Sequence, residues 1–203
     1  MNAAIQHLDM PSLLALAAAL GWASGFRLYA VLFILGLSGY FGWFALPAGL
    51  QVVAHPALVV ISGVLFALEF FADKIPYIDS IWDAVHSVIR IPAGAALAAG
   101  ALGADSGTMT VLAALLGGGL AATSQATKTS TRAAINASPE PFSNVAASLL
   151  EDGLAVGALW LAAHYPVVFA VLLLVMLVLM WVLIALMWKF VKKLWRRRRN
   201  GDS

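Results

Sequence analysis

Long apolar runs separated by short polar connections recur along almost the whole chain. About 20 apolar residues are needed to cross the ~30 Å hydrocarbon core of a bilayer as a helix. Six runs meet that length, and they cover residues 12–39, 54–72, 82–103, 108–128, 145–163 and 166–188. The pattern therefore predicts an all-α fold: a polytopic transmembrane helix bundle of about six spans. It also predicts one transmembrane domain over residues 1–188 and a separate basic tail over residues 189–203.

The first run is longer than one straight span requires, which predicts a tilt or a break. Gly21 and the Ser24-Gly25 pair are the expected position of that break. The start of the chain has no basic residue before the apolar run and no convincing cleavage site. We therefore expect a retained helix there, and not a signal peptide.

Composition excludes a soluble enzyme. Hydrophobic residues make up 62% of the chain and charged residues 11%, whereas soluble domains have roughly 45–50% and 25%. The chain contains no cysteine, which removes disulfides, thiolate metal ligands and cysteine nucleophiles.

The basic residues are concentrated directly after the last span. Seven of the 12 Lys and Arg residues are Lys189, Lys192, Lys193, Arg196, Arg197, Arg198 and Arg199. The positive-inside rule places this tail in the cytoplasm, and an even number of spans places the N-terminus there as well. The three outer connections, at about 40–53, 104–107 and 164–165, contain no Lys or Arg. We expect the tail to contact anionic lipid headgroups, and we expect no nucleic-acid partner.

Five charged residues are predicted to lie inside the membrane. Counted at 1.5 Å per residue from the outer helix ends, Arg27, Glu69, Arg90, Glu151 and Asp152 fall at depths of about 16–22 Å. An ionised side chain at such depth costs several kcal/mol unless it is paired or hydrated. The expected pair is Arg27 with Glu69, and the third acid would be protonated, hydrated or bound to a cation. The alternative is that these ion pairs only lock the helices together.

The third and fourth spans form a hairpin whose charges oppose each other in register. With the turn centred at position 105.5, facing residues have numbers that sum to 211. The expected pairs are Asp79 with Arg132, Asp83 with Lys128, and His86 with Gln125, while Arg90 continues the same helix face. We interpret the ladder as an inner gate. The alternative is a set of exposed pairs at the inner interface, worth about 0–1 kcal/mol each.

The segment from Thr123 to Arg132 is polar on all sides, which a lipid-facing helix does not tolerate. It predicts either an early exit from the membrane or a hydrated cavity open to the cytoplasm, floored by the buried charges. Just before it, the three glycines at 117–119 favour close helix packing, and the alternative is a hinge in the helix.

Metal and cofactor chemistry is not expected. The four histidines (His7, His55, His86 and His164) are scattered in depth, and no phosphate-binding or nucleophile motif occurs. His86 with Asp83 leaves open an acid–base role in an intramembrane enzyme acting on a lipid.

Two segments carry a resemblance to a known family. Leu68-Glu-Phe-Phe-Ala-Asp-Lys-Ile-Pro-Tyr-Ile-Asp-Ser-Ile-Trp-Asp-Ala-Val-His-Ser-Val-Ile-Arg90, and Ala137-Ser-Pro-Glu-Pro-Phe-Ser-Asn144 followed by Glu151-Asp152, resemble the bacterial integral-membrane family filed as domain of unknown function 4126. The resemblance covers roughly residues 10–163. It implies a multi-pass protein of the bacterial cytoplasmic (inner) membrane, and it implies no mechanism.

These observations favour a small transporter or channel-like protein that moves a cation, a proton or a small solute. Glu69, Glu151 and Asp152 would bind it with His86, while Arg27 and Arg90 would tune the acids or meet an anionic group. One chain has few helices with which to enclose a pathway, so we expect a homo-oligomer. The alternative is a non-transporting structural or lipid-interacting membrane protein.

Overall fold

The structure is a computed structural model that describes residues 9–75, 77–103, 107–137 and 141–201. Across these ranges the chain is helical and contains no strand, which confirms the all-α fold. The α-helices are α1 (Met10–Tyr40), α2 (Pro56–Ala72), α3 (Ile78–Leu102), α4 (Gly107–Asn136), α5 (Pro141–His164) and α6 (Pro166–Gly201). A 3-10 helix, Ala48–Ala54, precedes α2.

Five helices are long and apolar enough to cross a membrane, and a sixth span is made only if two bent pieces are counted together. Those pieces are the 3-10 helix Ala48–Ala54 and α2, which meet at an angle of 69° in a broken span or a re-entrant loop. Helix α2 nevertheless agrees with the span expected at 54–72 to within two residues. The break follows from Pro56: the residue before a proline is held in extended conformation, and His55 has φ −64° and ψ 131°. His55 also caps α2 by accepting the N–H of Ala57 at 3.3 Å.

Helix α1 is the centre of the bundle, and helices α2 to α6 all pack against it. Its one non-helical residue is Arg27, with φ −143° and ψ 64°. The break was expected at Gly21 or Ser24-Gly25, so the kink lies two residues beyond the expected position. The two glycines serve close packing instead: a Cβ at Gly21 would lie 2.6 Å from the Cα of Gly117, and one at Gly25 would strike Ser124 and Ala121.

Helices α1, α3 and α4 touch at three glycines. A Cβ on Gly117 would lie 2.6 Å from the carbonyl oxygen of Gly94, and Gly94 in turn lies against the backbone of Gly21. The predicted close packing is confirmed at Gly117, whereas no atom lies within 4 Å of a Cβ built on Gly119. Small residues let helix backbones approach in this way in membranes. The contact brings the charged halves of α3 and α4 against the kink of α1.

Helix α6 is the most exposed helix of the bundle, and it packs against α1, α4 and α5. Its apolar part runs from Pro166 to Lys189. The helix then continues without interruption to Gly201, so the backbone of the basic tail is an extension of α6.

Candidate functional site

Ten charged side chains from α1, α3, α4, α5 and the α2 region form one connected network of ion pairs. The cations are Arg27, Arg90, Lys128 and Arg132, and the carboxylates are Glu69, Asp73, Asp79, Asp83, Glu151 and Asp152. Nine of these side chains are at most 6% exposed, and only Asp152, at 18%, reaches the surface. The charges therefore meet one another inside the bundle, as the cost of burying them requires.

Arg90 joins α2, α3 and α4. Its guanidinium donates to Glu69, to Asp83 Oδ1 at 2.7 Å and to Gln125 Oε1 at 2.9 Å. A planar guanidinium suits this position because its donors reach several acceptors in fixed directions. Since Arg90 is fully buried, loss of either acid would leave an uncompensated charge between the helices.

Arg27, at the kink of α1, joins α1 to α5 and to the residue after α2. It contacts Asp73, lies 2.8 Å from Asp152 Oδ1 through Nε, and donates to Ser148 Oγ at 2.8 Å. The expected pair of Arg27 with Glu69 is therefore wrong, because Arg27 takes Asp73 and Glu69 takes Arg90. Glu69 and Asp73 are one turn apart on the same side of the α2 region. Arg90 therefore binds Glu69, and Arg27 binds Asp73.

Lys128 bridges the two arginine centres. Its Nζ lies 2.8 Å from Asp73 Oδ2 and 2.9 Å from Asp83 Oδ1. It also donates to the carbonyl oxygen of Phe26 at 3.2 Å, directly before the kink. The predicted pair of Asp83 with Lys128 is confirmed. The register of the α3–α4 hairpin thus holds past Pro92, which lies inside α3.

Arg132, near the C-terminal end of α4, joins the network to α5 and to Asp79 of α3. It donates to Glu151 Oε2 at 3.0 Å and to Asn144 Oδ1 at 3.1 Å, and its Nη1 lies 3.9 Å from Asp79 Oδ2. The predicted pair of Asp79 with Arg132 is confirmed, at the outer limit of ion-pair distance. The closer partner of Asp79 is Asn136, whose Nδ2 donates to its two oxygens at 2.9 and 3.1 Å.

His86 lies outside the network, and its expected pair with Gln125 is wrong because Gln125 binds Arg90 instead. The imidazole is half-buried, stacks on Trp82 at 4.1 Å and meets the Tyr29 ring edge-to-face at 5.6 Å. Its Nδ1 is 2.8 Å from the carbonyl oxygen of Trp82. The long Arg90 side chain takes the position beside Gln125 that His86 was expected to take. The acid–base pair of His86 with Asp83 is likewise not formed, since Asp83 binds Arg90 and Lys128.

Four residues of the site were not predicted: Asp73, Asn136, Asn144 and Ser148. Asp73 lies one residue beyond the span predicted at 54–72. A signal for it was present, since it follows Glu69 by one turn and lies in the first segment that carries the family resemblance. The neutral residues carry no charge to mark them. They enter the site because they accept or donate where the ion pairs leave a position open.

The network carries an excess of negative charge. Six carboxylates against four cations leave two negative charges in excess. Buried carboxylate oxygens without a hydrogen-bond partner include Glu69 Oε2, Asp73 Oδ1 and Asp83 Oδ2. Within the described residues, no group of three or more His, Asp or Glu side chains is placed to hold a metal ion.

All of these side chains except that of Asp152 are closed off from the surface in this conformation. Two cavities lined mainly by apolar groups lie away from the charges. One of about 320 Å³ lies between α1 and α5 near Trp43 and Trp160. Another, of about 210 Å³, lies between α5 and α6 near Trp22. The polar faces of α3 and α4 are instead filled by each other's side chains.

The network comes closest to the surface beside Lys74, in the α2–α3 connection. Lys74 Nζ lies 3.0 Å from the centre of the Phe70 ring and donates to Ser148 Oγ at 3.2 Å. Burial lowers the pKa of Lys74, with opposing effects from the nearby carboxylates. Lys74 and the partly exposed Asp152 therefore mark the edge through which the network can be reached.

The fold and this site define a multi-pass membrane protein built around a buried ionic network. A family model described as "Domain of unknown function (DUF4126)" matches residues 14–186, so the chain belongs to that family. The match confirms the resemblance and extends it beyond residue 163, through most of α6. No curated protein and no solved structure matches the chain. The two segments that carried the resemblance converge in the network, where they supply Glu69, Asp73, Asp79, Asp83, Arg90, Asn144, Glu151 and Asp152.

Proposed function

We propose that the protein is a small transporter or channel-like protein that moves a proton, a small cation or a small solute through the buried network. The observation that carries this proposal is the excess of carboxylates over cations: six against four in the whole network, and five against four among its almost wholly buried side chains. A purely structural lock would gain nothing from buried charge that its partners do not balance. Such an excess is relieved by binding a proton or a cation, or by hydration.

Two backbone features support movement around this site. Helix α1 is kinked at Arg27, a member of the network, and α2 meets the preceding 3-10 helix at 69°. Interrupted helices surround the substrate sites of many transporters, because their ends can change direction without unfolding a whole span. The closed network is, in this proposal, one of two conformations, and the cavity open to the cytoplasm belongs to the other.

The side chains divide into three roles. Glu69, Glu151 and Asp152 bind the transported ion, and Asp152 is the point of entry because it alone reaches the surface. Arg27 and Arg90 hold these acids in place. The pairs of Asp79 with Arg132 and of Asp83 with Lys128 form the gate between α3 and α4.

The setting of the protein is part of the same proposal. The charge distribution favours a cytoplasmic location for both termini in a bacterial inner membrane, with the basic extension of α6 on anionic headgroups. The few helices of one chain favour a homo-oligomer.

Flux through reconstituted vesicles tests the proposal. Purified protein is placed in liposomes that contain a pH-sensitive dye, and a pH or cation gradient is applied. We expect wild-type vesicles to dissipate the gradient, and Glu69→Gln and Glu151→Gln to reduce the rate at least about tenfold. Asp9→Asn is the control, because Asp9 is an exposed cap of α1 outside the network. Wild-type rates in both variants, together with lowered thermal stability, would show that transport does not pass through the network and that its ion pairs are structural.

The second candidate is a non-transporting membrane protein in which the network only locks the helices. It is favoured by the close packing of the charges, since Arg27, Glu69 and Arg90 have no exposed surface. Here the wild type carries no flux, and the Gln variants change stability alone.

A further inference from the structure

Helix α1 consists of two halves that meet at its one non-helical residue, and the halves run in opposite directions. The first half, residues 10–26, runs parallel to α4. A Cβ on Gly21 would lie 2.6 Å from the Cα of Gly117, and further along Lys128 donates to the carbonyl oxygen of Phe26 at 3.2 Å. Because the residue numbers of both partners rise together, this half runs from the beginning of α4 towards the ionic network.

The second half of α1, residues 28–40, runs back from the network. It packs antiparallel to α2. The ring of Phe33 stacks on that of Phe66 at 6.3 Å, and a Cβ on Gly36 would lie 3.0 Å from the side chain of Val59. Residue numbers therefore rise along α1 as they fall along α2. Since α2 ends at the network, this half runs from the network towards the beginning of α2.

Helices α2 and α4 begin at the same end of the bundle. Gly49, in the 3-10 helix before α2, lies against Gly100, close to the connection between α3 and α4. At the other end of α2, Asp73 lies 2.8 Å from Lys128 of α4. The two halves of α1 therefore enter and leave the bundle at one end, and Arg27 is the apex between them.

A shared cavity shows how close the two halves come at that end. Leu16 from the first half and Leu35 and Ser38 from the second line the cavity of about 320 Å³ near Trp160. In a straight helix, residues 16 and 35 would be about 28 Å apart. The halves have 17 and 13 residues, and both are shorter than the ~20 residues that cross the hydrocarbon core.

The distribution of basic residues agrees with this arrangement. Lys and Arg are absent before Arg27 and from the connections 40–55, 103–107 and 165, all of which lie in the sequence at the end where α1 begins. Lys74 and the basic extension of α6 belong to the opposite end. By the positive-inside rule, the end where α1 begins faces away from the cytoplasm.

We propose that α1 is a re-entrant helical hairpin, which enters and leaves the membrane at one face and carries Arg27 into the ionic network at its apex. Helices α2 to α6 then make five crossings, so the start of α1 lies on the face opposite the basic tail. The assignment of both termini to the cytoplasm counted six spans, and the hairpin replaces it. This inference stands whether or not the protein transports an ion.

The hairpin brings two helix ends into the network. The last carbonyl groups of the first half form the negative end of its dipole, and Lys128 donates to that of Phe26. The second half begins directly after Arg27, which is wholly buried and contacts Asp73. Non-helical backbone is tolerated at membrane depth only where protein buries it or water reaches it. The charged side chains around the apex supply that burial.

The distance between the ends of α1 tests the hairpin. The chain has no cysteine, so spin labels can be placed on the double variant Asp9→Cys/Tyr40→Cys, at two exposed positions. A straight helix would hold these positions about 46 Å apart, and we expect less than about 35 Å by electron–electron double resonance. The control is Val167→Cys/Lys189→Cys on the uninterrupted α6, expected at about 33 Å. A longer distance than the expected limit in α1 would overturn the hairpin.

Labelling by a membrane-impermeant maleimide tests the two faces separately. Single cysteines replace Asp9 before α1, Gln51 before α2 and Ala137 after α4, all of which are exposed. In membrane vesicles of the two orientations, we expect Asp9→Cys and Gln51→Cys to react from one face and Ala137→Cys from the other. Reaction of Asp9→Cys from the face of Ala137→Cys would show that α1 crosses the membrane. Neither measurement depends on flux, so the hairpin and the transport proposal can fail independently.

Discussion

The carboxylate of Asp73, just beyond the end of α2, lies 2.8 Å from the ammonium group of Lys128 in the middle of α4. The same carboxylate contacts Arg27 and lies 3.8 Å from Arg132. Asp73 is thus shared by three of the four cations, as is Glu151, and it connects α1, the α2 region and α4. A residue at the end of a helix has become the centre of the site.

Replacement of Asp73 by Asn should therefore destabilise the protein strongly. Three cations lose a shared counter-charge, and breaking a buried ion pair typically costs about 3–5 kcal/mol. The free energy of unfolding in detergent micelles measures this loss, with Asp9→Asn as the exposed control. An unfolding free energy within about 0.5 kcal/mol of wild type, the range of an ordinary surface substitution, would contradict the central role of Asp73.

The glycines at 117–119 allow the effect of an added methyl group on stability to be compared at a packed position and at an open one. Gly117→Ala should cost about 1–3 kcal/mol, because the added methyl group would collide with α3 backbone and Ala98. Gly119→Ala should be neutral or slightly stabilising, because its Cβ meets nothing and alanine favours a helix. Thermal unfolding of the two variants decides the matter, and equal effects would show that the close packing is not tight.

Asn136, at the end of α4, ties α3 and α5 together beside the network. Its amide donates to Asp79 and to Ser80 Oγ at 2.9 Å, and it accepts from Asn144 at 3.1 Å. Asn136→Ala removes all of these bonds and should open the contact between α3 and α4. The chain contains no cysteine, so a single cysteine at the buried Thr127 reports access without background.

Labelling of that cysteine by a water-soluble maleimide should be several-fold faster when Asn136 is alanine. Ser87→Ala is the control, because Ser87 bonds only its own helix, to the carbonyl oxygen of Ala84. Equal labelling rates in the two backgrounds would mean that Asn136 does not close the site.

The basic extension of α6 should bind anionic lipid. Each Lys or Arg near such a surface contributes roughly 1 kcal/mol, and salt weakens the attraction. Phosphatidylglycerol should raise the melting temperature of the wild type in detergent, and replacement of all seven basic residues by Gln should abolish the rise. Phosphatidylcholine, which has no net charge, should not raise the melting temperature of either the wild type or the replaced protein. A rise that survives the replacement would place the lipid elsewhere.

The register of the hairpin between α3 and α4 was readable from the sequence. Two antiparallel helices joined by a short turn keep a constant sum of facing positions, and Asp83 with Lys128 obeys it at 2.9 Å. His86 with Gln125 fails the same rule. The constant sum of residue numbers predicts which Cα atoms face each other across the hairpin. It does not predict the direction of a side chain, or whether a longer side chain from a neighbouring turn occupies the same space. Arg90 filled it here.

The amino-acid pattern is enough to predict a helical membrane bundle whose charged residues gather inside it. Hydrocarbon excludes backbone polar groups and lone charges, and apolar length and helical depth can be counted residue by residue. The packing of the helices, in contrast, was needed to learn which acid meets which base, that α1 kinks at Arg27, that a bend of 69° precedes α2, and that nearly all of the network is buried. These outcomes depend on helix rotation and on contacts between distant segments, and several pairings of six acids with four cations satisfy the same charge rule.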